Sequence, residues 1–296
     1  MTDTRNLGSQ TSLPTKKLKF HKPKIGTAIF LTVWSIYVLI PFVIMFNIAT
    51  MTPHEALQPF AFGWDEGIQF KAFSELFVDL GMGFTIFGAF LNTLMYSIPP
   101  VFIGITVGTM AAYAQSKLTW HGRDFTFGYL MFCWLMPDCV GMGAGYMWFD
   151  FLGWTGTPLP FMIPGMFCGV AQVFFLKSFM STIPNDLLAA AKVDGLGDVM
   201  VFWKIVFPLT LPAYWCQIIF AFIGAYNNYL GPLIYLEDPA TYSLQLALRF
   251  FSVFNKDNKP AVMAGNILAV IPLLIVYLCF QDFILKGINM GSGLKL

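Results

Sequence analysis

Six long apolar runs, nearly free of charged side chains, constrain this chain more than any other feature of its sequence. A helix needs about 20 mostly apolar residues to span a bilayer, and each run is at least that long. Membrane strands would instead alternate apolar and polar residues over about ten positions, and these runs do not alternate. The sequence therefore predicts an all-α membrane protein with six transmembrane helices. The predicted spans are 25–48, 84–112, 125–148, 158–180, 209–232 and 261–284.

The composition excludes several classes of protein. Hydrophobic residues make up 57% and charged residues 11% of the 296 residues, against about 45–50% and about 25% in soluble domains. An ordinary soluble enzyme is excluded, and so is a nucleic-acid-binding protein, which would need a basic face. The five cysteines lie in apolar runs without a Cys-x-x-Cys pair, and the three histidines are scattered. We therefore expect no disulfide framework, metal site, bound cofactor or catalytic centre.

The distribution of Lys and Arg predicts the orientation in the membrane, because cytoplasmic loops carry an excess of these residues. With the N-terminus inside, four of the 17 Lys and Arg residues lie in outer segments and the other 13 lie in inner ones. Both termini are then cytoplasmic, and an acidic loop between the first two spans faces outward. The four outer cations are Lys71, Arg249, Lys256 and Lys259.

Between and beyond the spans the chain has two terminal segments and two long loops. Residues 1–24 are polar and basic and are expected to form a flexible cytoplasmic N-terminus, and residues 286–296 a cytoplasmic tail. Residues 25–285 are expected to form the six-helix transmembrane domain. Within that domain, residues 49–83 form the outer loop and residues 181–208 form a long cytoplasmic loop.

The 181–208 loop contains the pattern of a short helix. Pro184 suits the first turn of a helix, and Asp186 follows where the helix dipole favours an acid. A run of leucine and alanine comes next, and these residues are strong helix formers. Gly195 and Gly197 end the helix. The pattern predicts a short helix with a face of small side chains, which fits either the cleft of a soluble partner or the membrane surface.

The same loop resembles the EAA loop of permease subunits of ABC importers. The matching string is Ile183-Pro184-x-Asp186-Leu187-x-Ala189-Ala190-Ala191-x-Val193-Asp194-Gly195, followed by Phe202, Ile205, Pro208, Leu209 and Pro212. Asp186 and Ala189 depart from the pattern, because both stand where the family has glutamate. The stretch 227–233 and the C-terminal end resemble the carbohydrate-uptake branch, in particular its maltose-type second permease.

The resemblance implies a transmembrane permease subunit of an ATP-driven, binding-protein-dependent importer of sugars, with an oligosaccharide as cargo, spanning the inner membrane of a bacterium or archaeon several times. The chain would form half of the translocation pathway in a heterodimer with a second permease, and an extracellular solute-binding protein would deliver the sugar. Two separate ATPase subunits would use ATP and Mg, since this chain has no Gly-x-x-x-x-Gly-Lys-Ser/Thr phosphate loop. The short helix between the fourth and fifth spans would then couple to an ATPase. Its coupling residues would be Asp186, Leu187, Ala189, Ala190, Ala191, Asp194 and Gly195.

Three polar residues are candidates for the substrate pathway. Asp138 lies well inside the third predicted span, where an unpaired charge costs at least ~2.5–3.5 kcal/mol. It is expected to face a cavity or a partner, and a structural role beside Pro137 is the alternative. Asn227 and Asn228 lie in the stretch that resembles the carbohydrate branch, although amides in spans commonly only join helices.

Other transport functions stay open at this point. One alternative is an ABC permease for a different solute, such as glycerol phosphate or a peptide, and another is an ion-coupled secondary transporter. A phosphate cargo would need Arg or Lys inside a span, and a secondary transporter would need intramembrane relay groups beyond Asp138. Neither pattern is present in the interior of the six runs.

Overall fold

The computed structural model describes residues 25–58, 62–79 and 81–291, with the side chains of 138–139 and 282–291 left out. The described residues form helices and loops and contain no β-strand, which confirms the all-α class. The predicted N-terminal segment 1–24 lies outside them. The α-helices are α1 (Ile25–Ala49), α2 (Pro53–Ala56), α3 (Lys71–Ser74), α4 (Ile86–Lys117), α5 (Arg123–Trp134), α6 (Asp138–Phe151), α7 (Leu159–Gly165), α8 (Val170–Ser181), α9 (Asn185–Val193), α10 (Asp198–Val201), α11 (Phe207–Tyr226), α12 (Leu230–Tyr235), α13 (Leu244–Phe254) and α14 (Lys259–Gly291).

Five helical stretches of the described chain are long and apolar enough to cross a membrane. Each overlaps one of the predicted spans, and only the predicted span 125–148 has no counterpart among them. The count of six spanning helices and the cytoplasmic position of both termini therefore stay predictions. The five stretches are Ile25–Ala49, Ile86–Lys117, Leu159–Ser181, Asp198–Tyr226 and Lys259–Gln281.

The predicted span 125–148 is divided into two helices. α5 ends at Trp134, and Pro137 stands at the N-cap of α6, which begins at Asp138. Proline has no N–H to donate, and its ring disfavours the helical conformation at the residue before it. The expectation of one continuous helix over these residues is therefore wrong. Asp138 is the first residue of a helix and not a residue in the middle of one.

Contacts between residues divide the chain into two units, Met1–Val43 and Ile44–Leu296. The described part of the first unit is the larger part of α1. Its large side chains are exposed, with Phe30 at 65% and Tyr37 at 66%. A helix that is apolar around its whole circumference is stable when lipid or another protein surrounds it, which agrees with a membrane-spanning α1.

Within the second unit α4 is the central helix. It packs against α8 and α11, and α11 packs against α14. One apolar core lies among α4, α11, α13 and α14 and includes Ile86 and Phe251. A second core lies among α4, α8 and the 181–208 loop and includes Leu176 and Phe202. A π-helical turn, Phe202–Val206, joins α10 to α11 inside this second core.

Two glycines let α4 approach the turn between α7 and α8. A Cβ atom at Gly104 would lie 2.3 Å from the backbone oxygen of Gly165, and one at Gly108 would lie 2.3 Å from Sγ of Cys168. Both distances are far below van der Waals contact, so only glycine fits at these positions. Small residues four apart are typical of helices that pack closely in membranes.

We expect Gly104→Ala to destabilise the fold, because the new methyl group would meet a backbone oxygen. Overpacking of this kind typically costs ~1–3 kcal/mol. Gly128→Ala in α5, where a Cβ atom meets nothing within 4 Å, is the matched control. It should be neutral or stabilising, since alanine favours a helix by about 1 kcal/mol over glycine. Thermal unfolding of the purified protein in detergent measures the stability of both variants. Equal unfolding midpoints for Gly104→Ala and Gly128→Ala would contradict the close approach of α4 to Gly165.

A buried carboxylate accepts hydrogen bonds from two separate parts of the segment that follows α1. Glu55 is 6% exposed and accepts hydrogen bonds from Thr52 N at 3.0 Å, from Thr52 Oγ1 at 3.2 Å and from the backbone N–H of Glu66. Thr52 Oγ1 in turn accepts from Glu55 N at 3.2 Å, which completes a capping box at the start of α2. The hydrogen bonds from the backbone N–H groups of Thr52 and Glu66 lower the pKa of the Glu55 carboxyl below its ordinary value of 4.5.

Residues 50–58 and 62–69 should therefore lose stability in acid. The Glu55 carboxylate stabilises the fold above its ordinary pKa of 4.5, and this contribution is lost as the pH falls through the lower folded value. Hydrogen exchange of these amides, corrected for the intrinsic rate, should accelerate below about pH 4.5. Glu55→Gln should exchange faster already at neutral pH and without that acid step, whereas the exposed Asp65→Asn should behave as wild type. An unaltered rate in Glu55→Gln would count against the buried contact.

Candidate functional site

The 181–208 loop folds around a short helix, as the sequence indicates. This helix, α9, begins directly after Pro184, which occupies the N-cap position, and Asp186 lies in its first turn. Proline fixes the backbone angle of the entry, and the acidic side chain complements the positive end of the helix dipole. The local sequence therefore determines where α9 starts.

The end of α9 is a Schellman motif built on Gly195. Gly195 N donates to Lys192 O and Leu196 N donates to Ala191 O, both at 3.0 Å. Gly195 has a φ of +85°, in the left-handed region that side chains with a Cβ rarely adopt. Leu196 then packs against the same core as Ala191. Gly195 thus ends the helix and turns the chain toward α10.

α9 has one buried face and one exposed face. Leu188 and Ala191 are 7% and 4% exposed and pack into the core formed with α4 and α8. Of the seven residues predicted to contact an ATPase, Ala191 therefore faces the core of this chain itself. The exposed six are Asp186, Leu187, Ala189, Ala190, Asp194 and Gly195.

The exposed face carries an apolar patch. Leu187 is 48% exposed and Val193 is 87% exposed, and Ala190 lies one turn from each. Residues three apart on a helix are neighbours on its surface, so these three side chains adjoin. Contiguous apolar surface of this kind is typical of an interaction site. We call Leu187, Ala190 and Val193 the α9 patch.

Lys117, the last residue of α4, holds the start of α9. Its Nζ donates to the backbone oxygen of Ile183 and to Oδ1 of Asn185, the latter at 3.0 Å. Ile183 is itself 7% exposed. The sequence analysis did not select Lys117 as a site residue, and its one signal there is a cation at the end of an apolar run.

A second set of polar contacts holds the other side of the loop. Tyr113, one turn before the end of α4, donates its hydroxyl to the backbone oxygen of Asp198 at 3.1 Å. The carboxylate of Asp198 pairs with Nζ of Lys192 on α9 at 2.7 Å. α4 therefore forms hydrogen bonds with the 181–208 loop both before and after α9.

Lys117→Met should loosen α9, because it removes the charged donor while keeping most of the side-chain length. A hydrogen bond from a charged group contributes ~1.5–3 kcal/mol, so amide exchange over residues 183–193 should accelerate by roughly tenfold or more. Lys204→Met is the control, since Lys204 is exposed and no described residue bonds its side chain. Exchange followed by mass spectrometry compares them, and equal protection in both would refute the role of Lys117.

The two asparagines of the predicted substrate pathway lie at the end of α11. Asn227 Nδ2 donates to Ile223 O at 2.9 Å, and its Oδ1 accepts from Gln245 Nε2 at 3.2 Å. Asn228 Oδ1 accepts from Gly231 N at 3.1 Å. The side-chain oxygen of each asparagine thus accepts a hydrogen bond from another residue of this chain. Asn227 is exposed, and Asn228 is half-buried.

A cavity of about 320 Å³ lies among α4, α7, α8, α11 and α12. Asn228 lines it, whereas Asn227 does not. The side chain of Asp138 belongs to the undescribed ones, so its place in the pathway stays a prediction. Within residues 25–58, 62–79 and 81–291, no three His, Cys, Asp or Glu side chains come close enough to hold a metal ion together.

Similar proteins identify the family. The sequence pattern described as "binding-protein-dependent transport system inner membrane component" matches residues 104–290. The arabinooligosaccharides transport system permease protein of Bacillus subtilis is 24% identical over 280 residues, which cover 93% of this chain and 97% of that protein. The glucose import system permease protein of Saccharolobus solfataricus is 29% identical over 223 residues, which cover 69% and 75%.

A solved structure shares the fold. It is the crystal structure of a bacterial ABC transporter involved in the import of the acidic polysaccharide alginate. One of its chains matches with a TM-score of 0.75 and 22% identity, over 87% of this chain and 95% of that one. The family pattern covers more than half of the chain. The protein therefore belongs to the inner membrane components of binding-protein-dependent transport systems, the permease subunits of ABC importers, as the resemblance of its 181–208 loop implies.

Proposed function

We propose that this protein is the permease subunit of an ATP-driven sugar importer, that it carries oligosaccharides, and that it forms half of the translocation pathway. The names of its relatives support the cargo. They include permease proteins for arabinooligosaccharides and for maltodextrin, both from Bacillus subtilis. The uncharged lining of the cavity also favours a neutral cargo over a charged one.

The observation that carries the proposal is the α9 patch on a firmly held helix. Leu188 and Ala191 anchor α9 in the core, and Lys117 and Tyr113 tie the loop to α4. An ATPase that grips the exposed face would therefore move α4 as well. Since α4 also lines the cavity, motion at the loop reaches the transport pathway through one helix.

The coupling contact in this proposal is acidic at both ends of α9. Asp186 and Asp194 are exposed and offer carboxylates to cationic groups of the ATPase cleft. Ala189, where the family pattern has glutamate, is exposed between them and contributes only a small apolar surface. The two aspartates would supply the charge that the motif glutamates supply elsewhere.

The proposed assembly contains a second permease, two ATPase subunits that use ATP and Mg, and an extracellular solute-binding protein. The family description, which names a binding protein and an inner membrane, supports this set. The membrane is that of a bacterium or an archaeon. Residues 25–285 would form the permease domain, with residues 1–24 and 286–296 in the cytoplasm, and α14 extends to Gly291 into this tail.

The substrate pathway of this proposal includes Asp138, Asn227 and Asn228. Asp138 stands at the break between α5 and α6, where the backbone groups of the two helix ends lack partners within a helix. Asn227 and Asn228 stand at the end of α11. A helix end inside the membrane is tolerated where it lines a cavity or meets protein, which supports a place along the pathway for all three.

One relative favours a second cargo class. The osmoprotective compounds uptake permease protein of a Synechocystis species is 29% identical over 208 residues, which cover 69% of this chain and 69% of that protein. The alternative function is therefore an importer of the same type for a small osmoprotective solute.

The assembly is tested by mass spectrometry of what purifies with the tagged chain from its native membrane in mild detergent. We expect two copies of an ATPase subunit and one copy of a further permease for each copy of this chain, together with no other polytopic protein at that level. A homo-oligomer without an ATPase would overturn the proposed importer. The co-purified subunits are then reconstituted with the binding protein to compare oligosaccharides with osmoprotective solutes as cargo.

Val193→Asp should uncouple transport from the ATPase, because it places a charge on the most exposed side chain of the α9 patch. Val193 is 87% exposed, so the fold and membrane insertion should be kept. Val193→Thr, which keeps the shape, is the control. ATP-dependent uptake by reconstituted importer should fall at least about tenfold in Val193→Asp, equivalent to ~1.4 kcal/mol, and stay near wild type in Val193→Thr. Full uptake by Val193→Asp would show that α9 does not dock the ATPase.

A further inference from the structure

Three polar groups that the fold does not use meet at the cavity beside α4. Gln172, in the first turn of α8, is partly buried and forms no hydrogen bond with a described residue. Asn228 uses its Oδ1 for Gly231 N and leaves its Nδ2 without an acceptor in the described chain. Buried polar groups are almost always satisfied by protein, water or a ligand. Uncommitted amides on a cavity wall are therefore available to an occupant that forms hydrogen bonds.

Ser243 adds a hydroxyl to the same wall. It stands at the N-cap of α13 but makes no capping hydrogen bond, and the first N–H of the helix, that of Leu244, donates to Thr93 Oγ1 at 2.7 Å. The serine is 3% exposed, and no described residue bonds its Oγ. A serine at an N-cap normally accepts a hydrogen bond from a backbone N–H of the helix. Here the hydroxyl does not, so it is available to a group in the cavity.

The remaining walls are aromatic and aliphatic. Tyr96 and Phe161 meet edge to face with ring centroids 5.7 Å apart, and Phe220 lines the cavity from α11. Small-molecule sites typically combine such apolar walls with a few placed polar groups. An amphipathic ligand, with apolar C–H faces and a rim of hydroxyls, matches this mixture.

The charge of the cavity lining and the volume of the cavity further limit which ligands can bind. No lining residue is charged, so a carboxylate or phosphate would enter without a counter-charge at the cost of its hydration. The volume of about 320 Å³ lies at the lower end of the ~300–1,000 Å³ range of ligand sites. The cavity therefore suits a small neutral molecule.

We infer that this cavity is a subsite for one neutral sugar ring, formed within this chain alone, in which Gln172, Asn228 and Ser243 bond hydroxyl groups and Tyr96 and Phe161 contact the ring face. The inference rests on the proposed function. It adds where in the chain one sugar ring binds and that this ring is uncharged. The polar groups come from α8, from the turn before α12 and from the start of α13, so the sugar would hold three elements together against α4.

The chain offers a way to fill the cavity without disturbing the backbone. Gly224 lines it, and a Cβ atom there meets nothing within 4 Å. Gly224→Phe should place its ring in the cavity. Gly128→Phe, at an equally open position in α5 that is not part of the lining, is the matched control.

The experiment measures ATP-driven uptake of maltotriose and of arabinotriose by the importer complex in proteoliposomes, with complex assembly checked by size-exclusion chromatography. Gly224→Phe should lower uptake of the transported sugar at least tenfold, and Gly128→Phe should transport as wild type. Gln172→Leu removes only the amide, and it should raise KM by about tenfold, in keeping with the loss of a hydrogen bond worth about 1.4 kcal/mol, with a smaller effect on kcat.

The outcomes separate the two claims. If wild type transports a sugar while Gly224→Phe matches Gly128→Phe, the subsite is refuted and the importer function stands. If Gly224→Phe does not assemble, Gln172→Leu decides alone, and an unchanged KM refutes the subsite. If wild type carries neither sugar, the proposed cargo fails and the subsite fails with it.

Discussion

The contact between the glycine face of α4 and the turn before α8 is the one on which the rest of the structure depends. Gly104 and Gly108 bring the α4 backbone against Gly165 and Cys168. Lipid supplies no hydrophobic drive between helices, so close van der Waals contact of this kind, together with hydrogen bonds, has to hold them together. Because of this contact, the middle of α4 borders the cavity while its last turn holds the 181–208 loop.

Most of the helical fold could be predicted from the sequence, because lipid leaves the backbone few alternatives to a helix. The run 125–148 marks the limit of that reasoning. Its apolar content predicts one membrane-spanning helix, but Pro137 divides the run into two helices. Likewise α13 has 11 residues, too few for a span, and its buried face becomes evident only when α4 and α14 are packed against it.

In the candidate site, too, the local features could be predicted from the sequence and the tertiary ones could not. The start and end of α9 could be predicted, because Pro184 and Gly195 act on the local backbone. Which face of α9 turns inward could not, since that depends on where α4 ends and on Tyr113 and Lys117 at its end. The cavity was beyond prediction as well: Gln172 and Ser243 are far apart in the chain and are brought together only by tertiary packing.

The uncharged cavity wall has an electrical consequence. Moving one elementary charge across a membrane potential of 100 mV involves about 2.3 kcal/mol. A neutral sugar passing an uncharged wall involves none of this work, so its import neither draws on the potential nor dissipates it. Uptake of such a cargo would proceed equally well in an energised and a depolarised cell, as long as nucleotide is available.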